Sequence, residues 1–150
     1  MRTPLAGEVT AGRADLAIGP RPSRWDRHAG VLGREEIVVA MARTDPLAAE
    51  AEGVTFALIA GEPVVHYHPD NGLGGWLDDV AAQRDVRLTA ATRTRQATTA
   101  AHLAAAGLGV ALVPTTAVHA SFPRGRLKPA GRTEFVRGDV CDRPRLASSS

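Results

Sequence analysis

Ala101-His-Leu-Ala-Ala-Ala-Gly-Leu-Gly-Val-Ala-Leu-Val-Pro114 passes from helix to strand in one sweep. The alanines between Ala97 and Ala106 have the highest intrinsic helix propensity, so a helix is expected there. Gly107 stands where a left-handed C-terminal cap is wanted. Gly109-Val-Ala-Leu-Val113 is a short, continuous apolar run, which predicts a buried strand, and Pro114 ends it.

Upstream, the same alternation of element types recurs. Val86 to Ala90 alternates and predicts a strand. Trp76 to Arg84 has helical spacing, with Trp76, Leu77, Val80 and Ala81 on one side. Asn71-Gly-Leu-Gly-Gly75 before it predicts a flexible loop. Pro63 to Tyr67 is a short strand and Phe56 to Ala60 a single helical turn. The β-branched run Glu36 to Ala42 predicts a central strand, broken at Asp45-Pro46, because the residue before a proline avoids helical geometry. Arg21 to Gly30 predicts a polar loop, Asp15 to Pro20 a buried strand stopped by Gly-Pro, and Leu5 to Ala14 a short helix or the end of a longer one. Downstream, Val136 and Val140 fit a last strand, and Ser148 to Ser150 should fray. Strands alternating with helices predict an α/β fold with a largely parallel sheet. In such sheets ligands sit at the carboxyl ends of the strands, near helix N-termini.

Composition narrows the function. The 150 residues suffice for one domain or part of one, with 44% hydrophobic and 23% charged residues. Aromatics are only 4%, so the core must be built from Ala, Val, Leu and Ile. The formal charge is +2, with 18 basic residues scattered among 16 acids, whereas a nucleic-acid surface gathers them on one face. The single cysteine, Cys141, excludes an intrachain disulfide and a Cys-based metal site, which fits a reducing cytoplasm. No apolar run approaches the roughly 20 residues of a membrane span. Met1-Arg-Thr-Pro-Leu5 lacks the apolar core of a signal peptide, so a cytoplasmic address is expected.

Four stretches, in this order and spacing, resemble the effector-binding domain of LysR-type transcriptional regulators. They are Ala11-Gly-Arg-Ala-Asp-Leu-Ala-Ile-Gly19, Glu35-Glu-Ile-Val-Val-Ala-Met-Ala-Arg-Thr-Asp-Pro-Leu-Ala48, Glu62-Pro-Val-Val-His-Tyr67 and the opening Ala101–Pro114 stretch. Asp45 stands where that family usually has His. The resemblance covers roughly Leu5 to Leu127. It implies a type 2 periplasmic-binding-protein-like α/β fold of two subdomains joined by two crossing strands, with the effector in the cleft between them. The family's winged helix-turn-helix, its linker helix and the first strand and helix of the first subdomain have no counterpart here. The expected organisation is therefore an incomplete first subdomain at 1–36, a second subdomain at 37–122, and a return crossing and tail at 123–150. A first subdomain short of strands should present a free edge and an uncovered apolar face, at a cost in stability.

Helix N-termini offer unpaired N–H groups and partial positive charge, which suit a carboxylate. Two candidates stand out: His68 to Gly75 before the Trp76 helix, with His68, Asn71, Gly72 and Gly74, and Thr92 to Thr98 before the Ala-rich helix, with Arg93, Arg95 and Gln96. The resemblance places the first at the cleft and adds Pro20 and Arg21, where an arginine could hold a carboxylate bidentately. For all of these the plain alternative is a turn or a solvated surface. His66-Tyr-His68 with Asp70 has zinc-type ligands, but no further ligand is evident and no metal is expected. Asp78-Asp79 reads as a charge pair at a helix start, and Trp25 as a cleft or lid residue. The sequence has no G-x-S-x-G, P-loop or H-E-x-x-H motif, so an enzyme is not expected.

The reading is a small-molecule effector-sensing domain fragment of a LysR-type regulator, without cofactor and without direct DNA contact. It would pair with its own kind or with related subunits and respond to a carboxylate or aromatic metabolite. The alternatives are a solute-binding protein of the same fold, which needs a signal peptide, and a non-functional gene remnant.

Overall fold

The computed structural model describes residues 4–20, 29–31, 33, 35–50, 52–119, 122, 124–126 and 137–142. The elements run α1 (Pro4–Thr10), β1 (Leu16–Pro20), β2 (Ala29–Val31), β3 (Ile37–Ala40), a 3-10 turn (Pro46–Ala49), α2 (Phe56–Ile59), β4 (Pro63–Tyr67), α3 (Gly72–Ala82), β5 (Thr89–Thr94), α4 (Ala97–Ala105), β6 (Ala111–Pro114), a second 3-10 turn (Thr115–Ala117), β7 (Arg124–Arg126) and β8 (Arg137–Asp142). Trp25, Leu127 to Val136 and Ser148 to Ser150, which carry expectations above, lie outside the described residues.

Two layers of strands result. In the first, β8 lies between β1 and β2 and is antiparallel to both. In the second, β3 lies between β6 and β7, again antiparallel. The parallel pair β4–β5 joins this layer where Val64 bridges Val110: Val65 N donates to Val110 O at 2.8 Å, and Val110 N donates to Pro63 O at 2.9 Å. The chain passes from the first layer to the second between β2 and β3 and returns between β7 and β8. On the two sides of these passages β2 pairs with β8 and β3 with β7, both antiparallel.

The expected largely parallel sheet is thus corrected. Parallel pairing needs a crossover helix, and only β4-α3-β5-α4-β6 supplies crossovers. Among the described residues, the pairings of β1 and β2 with β8 and of β3 with β6 and β7 are all antiparallel.

Among the described residues, the core cluster sits in the second layer. All four residues of β3 and of β6 are buried, as are Val64 to Tyr67 of β4, which marks strands covered on both faces. Ala100, Ala101 and Ala104 of α4 and Leu77, Val80 and Ala81 of α3 close over them. The Tyr67 hydroxyl donates to Leu112 O at 2.8 Å, and burial pushes its phenol well above the ordinary tyrosine range. Gly107 takes φ +92, as the cap position required. Gly109 has φ +144, and a Cβ there would fall 2.2 Å from the Pro63 carbonyl oxygen, so the α4–β6 turn docks on β4 only through glycine.

Three further expectations are corrected. The β5 strand begins at Thr89 rather than Val86, because Asp85 turns left-handed (φ 56) and Val86 N is spent on Ala81 O, closing α3. Helix α3 begins at Gly72, so Gly72 and Gly74 lie in its first turn and not in a loop. Strand β1 was expected to be buried, yet Leu16 is 49% and Ile18 56% exposed. Helix α1 contacts β1 and buries Val9, while Leu16 and Ile18 share one face of the strand and meet solvent.

Candidate ligand-binding site

Parallel pairing of β4 with β5 sets the two candidate helix starts side by side. Tyr67 is in register with Thr94, so the segments leading to α3 and α4 leave from the same edge of the layer. Asn71 ties them together. Its Oδ1 accepts from Leu73 N at 2.9 Å and Gly74 N at 3.4 Å, capping α3, and its Nδ2 donates to Arg95 O at 3.0 Å. Asp70 and Arg95 form an ion pair at 2.7 Å, with both side chains more than half exposed. The Arg95 guanidinium holds the Asp70 carboxyl below its ordinary range. Nη1 of Arg93 donates to Tyr67 O at 2.7 Å, and His68 N donates to Thr94 O at 3.0 Å.

The two helix starts differ chemically. Asn71 already occupies two of the α3 amides. Gln96 is the N-cap residue of α4, and its side chain makes no capping bond. The first-turn amides of α4 therefore keep their partial positive charge without a cap from the Gln96 side chain, and Gln96 N itself donates to Thr94 Oγ1 at 3.4 Å.

Of the expected site residues, the structure brings together His68, Asn71, Arg95 and Gln96. Gly72 and Gly74 are adjacent but have a different task. A Cβ at Gly74 would stand 3.0 Å from Tyr67 Cβ, so Gly74 lets α3 approach β4 rather than letting backbone approach a ligand. Pro20 is the last residue of β1, at a register shift opposite Arg137, and α3 lies against β1. Arg21 lies outside the described residues.

The metal-like set dissolves on inspection. His66 is buried, 2% exposed, and its Nε2 lies 2.8 Å from Asp78 Oδ1 on α3. Asp70 pairs with Arg95 instead. Among the described residues, no three of His, Cys, Asp and Glu gather as a metal site. Asp78-Asp79 lies mid-helix and not at a helix start, because Asn71 starts α3 earlier. The His66–Asp78 contact was invisible in the sequence: nothing in the spacing tells which face of α3 meets β4. No helix among the described residues is long and apolar enough to cross a membrane.

The comparisons with known proteins bear on this arrangement. The LysR substrate binding domain family matches residues 3–138. Among solved structures, the effector binding domain of QuiR in complex with shikimate superposes with a TM-score of 0.76 at 16% identity, covering 93% of this chain and 68% of that one. The effector binding domain of a BenM variant gives 0.75 at 20% identity, covering 95% and 68%. The C-terminal domain of a probable LysR family regulator from Rhodococcus sp. RHA1 gives 0.73 at 21%, covering 99% and 75%. Full-length BenM is matched over 48% of its length. At these identities the likeness shows a shared fold. No curated protein matches the sequence. The two layers agree with the family match over most of the chain, and that match leads to one conclusion: the chain belongs to the LysR substrate binding domain family and is an effector-sensing domain of the LysR type.

Proposed function

We propose that this domain senses a small organic carboxylate between its two subdomains, 1–36 and 37–122, with 123–150 carrying the return crossing. The observation that carries the reading is the shared edge of β4 and β5. There the α4 start, with no side-chain cap, the Arg95 guanidinium and the Gln96 side chain stand beside the Asn71 cap of α3. A carboxylate would accept from the α4 amides and from Arg95, exchanging with the exposed Asp70. Asn71 and His68 would line the same edge, and Pro20 with Arg21 would close it from β1. Shikimate and benzoate, the molecules named with QuiR and with the BenM effector binding domain, both carry a carboxylate, which supports this chemistry.

Binding across a cleft favours the closed arrangement by its differential affinity for the two states. In a paired regulator that bias would change how the subunits are held, so the partners are the effector and a like or related subunit. The domain itself is neither a catalyst nor a DNA reader on this view, and it works in the cytoplasm where regulators meet DNA.

Calorimetry with benzoate, shikimate and a panel of small carboxylates tests the reading. A saturable heat for one class is expected, weakened roughly tenfold or more in Arg95→Ala, because a hydrogen bond to a charged group contributes about 1.5–3 kcal/mol. Binding that is indifferent to Arg95→Ala and Gln96→Ala would place the ligand elsewhere.

A further inference from the structure

The geometry points to His66 and Asp78 as a positioning pair that fixes where the start of α3 stands. The consequence for affinity rests on the ligand reading above; the positioning itself does not. His66 is the buried polar side chain of the described core. It sits on β4, which has β5 on one side and the start of β6 on the other. Its Nε2 meets Asp78 Oδ1 at 2.8 Å, while its Nδ1 is buried with no hydrogen-bond partner among the described residues. Hydrogen-bond accounting then selects one neutral tautomer. A proton on Nε2 reaches an acceptor, whereas a proton on Nδ1 would be buried with none.

Asp78 stands one helical turn after Gly74, on the same face of α3. A Cβ at Gly74 would lie 3.7 Å from His66 Cε1, so the imidazole edge runs along α3 from Gly74 to Asp78. Close approach at Gly74 sets the distance of helix from strand. Leu77, Val80 and Ala81 restrain the helix through non-directional apolar contact, and the Asp78 bond adds a directional one that fixes its position along the strand. The gain appears at the helix start, where Asn71 must reach Leu73 N, Gly74 N and Arg95 O together. Neither His66 nor Asp78 needs to touch a ligand for this.

Hydrogen exchange by NMR on the whole chain tests it, in Asp78→Ala and Asp78→Asn. Asp78 is half exposed, so neither change empties the core. In Asp78→Ala the amides of Leu73 and Gly74 should lose roughly fivefold or more of their protection, the scale of a weakened N-cap. Leu112 should be unchanged. Asp78→Asn keeps an oxygen that accepts from Nε2–H and should match the parent. The imidazole ¹⁵N spectrum of neutral His66 should show Nε2 protonated and Nδ1 bare. Unchanged Leu73 and Gly74 protection in Asp78→Ala, equal loss in Asp78→Asn, or the Nδ1–H tautomer would each overturn the proposal. Calorimetry with benzoate and shikimate on the same variants reads the consequence separately. Absence of binding in the parent would count against the ligand reading and leave the exchange result standing.

Discussion

Single residues in this domain carry requirements that composition does not reveal. Gly109 is the sharpest case. Its φ of +144 and the 2.2 Å approach of a Cβ to the Pro63 oxygen combine backbone strain with a backbone clash. Gly109→Ala should destabilise the domain by about 2–4 kcal/mol, read from denaturant midpoints, because forced positive φ alone costs about 1–3 kcal/mol. A change under half a kcal/mol would mean the α4–β6 turn can dock another way. Asp70 makes a subtler demand. Arg95 depresses its pKa in the folded state, so the group adds stability above its unfolded value near 4 and loses it as pH falls through the lower folded value. Asp70→Asn should therefore be slightly less stable than the parent at neutral pH, with the gap closing below about pH 4 and narrowing in salt. The exposure of both partners keeps the effect small. A gap constant down to acid would show that Asp70 acts through something other than its charge.

Elements were legible where one force dominated. The apolar runs of β3, β4 and β6 and the alanines of α4 announced themselves, because continuous burial or high propensity leaves no competing reading. The start of α3 was not legible. Three glycines within Gly72 to Gly75 suggest a loop, yet Asn71 caps the helix and Gly74 is needed for close packing on β4. Long-range packing overrode local propensity, and a single sequence does not show which strand a helix will meet. The site was half legible for the same reason. Both helix starts could be named from their residues, but their union through Asn71 and Arg95 depends on β4–β5 register. Asn71→Ala should cost about 1 kcal/mol for the lost α3 cap. It should also loosen the tie to Arg95, seen as faster exchange at Leu73 and Gly74. If stability falls while those amides stay protected, another group caps α3.

At the scale of the whole molecule, the described buried side chains fall unequally on the two layers, and that division sets the expected order of opening. The contiguous cluster of buried apolar residues runs from Ile37 to Val113, all in the second layer and its helices. Among the first-layer residues whose burial is described, Val9 is buried while Leu16 and Ile18 meet solvent. Stability follows buried apolar area, so the two layers should not open together. Amides of Val39, Val65 and Leu112 should exchange only by global unfolding. Those of Ala17 and Ile18 should exchange sooner, through opening of the β1–β8 pairing. A ligand held between the layers changes this order, because it binds only where both are formed. At a hundredfold excess over its Kd it adds about 2.7 kcal/mol to every opening that destroys the site. The gain should therefore appear at Ala17 and Ile18 as well as in the second layer. Protection that rises at Val65 alone would mean the ligand sits wholly on the second layer. Equal protection of both layers without ligand would mean that β1 is held more firmly than its exposed Leu16 and Ile18 imply.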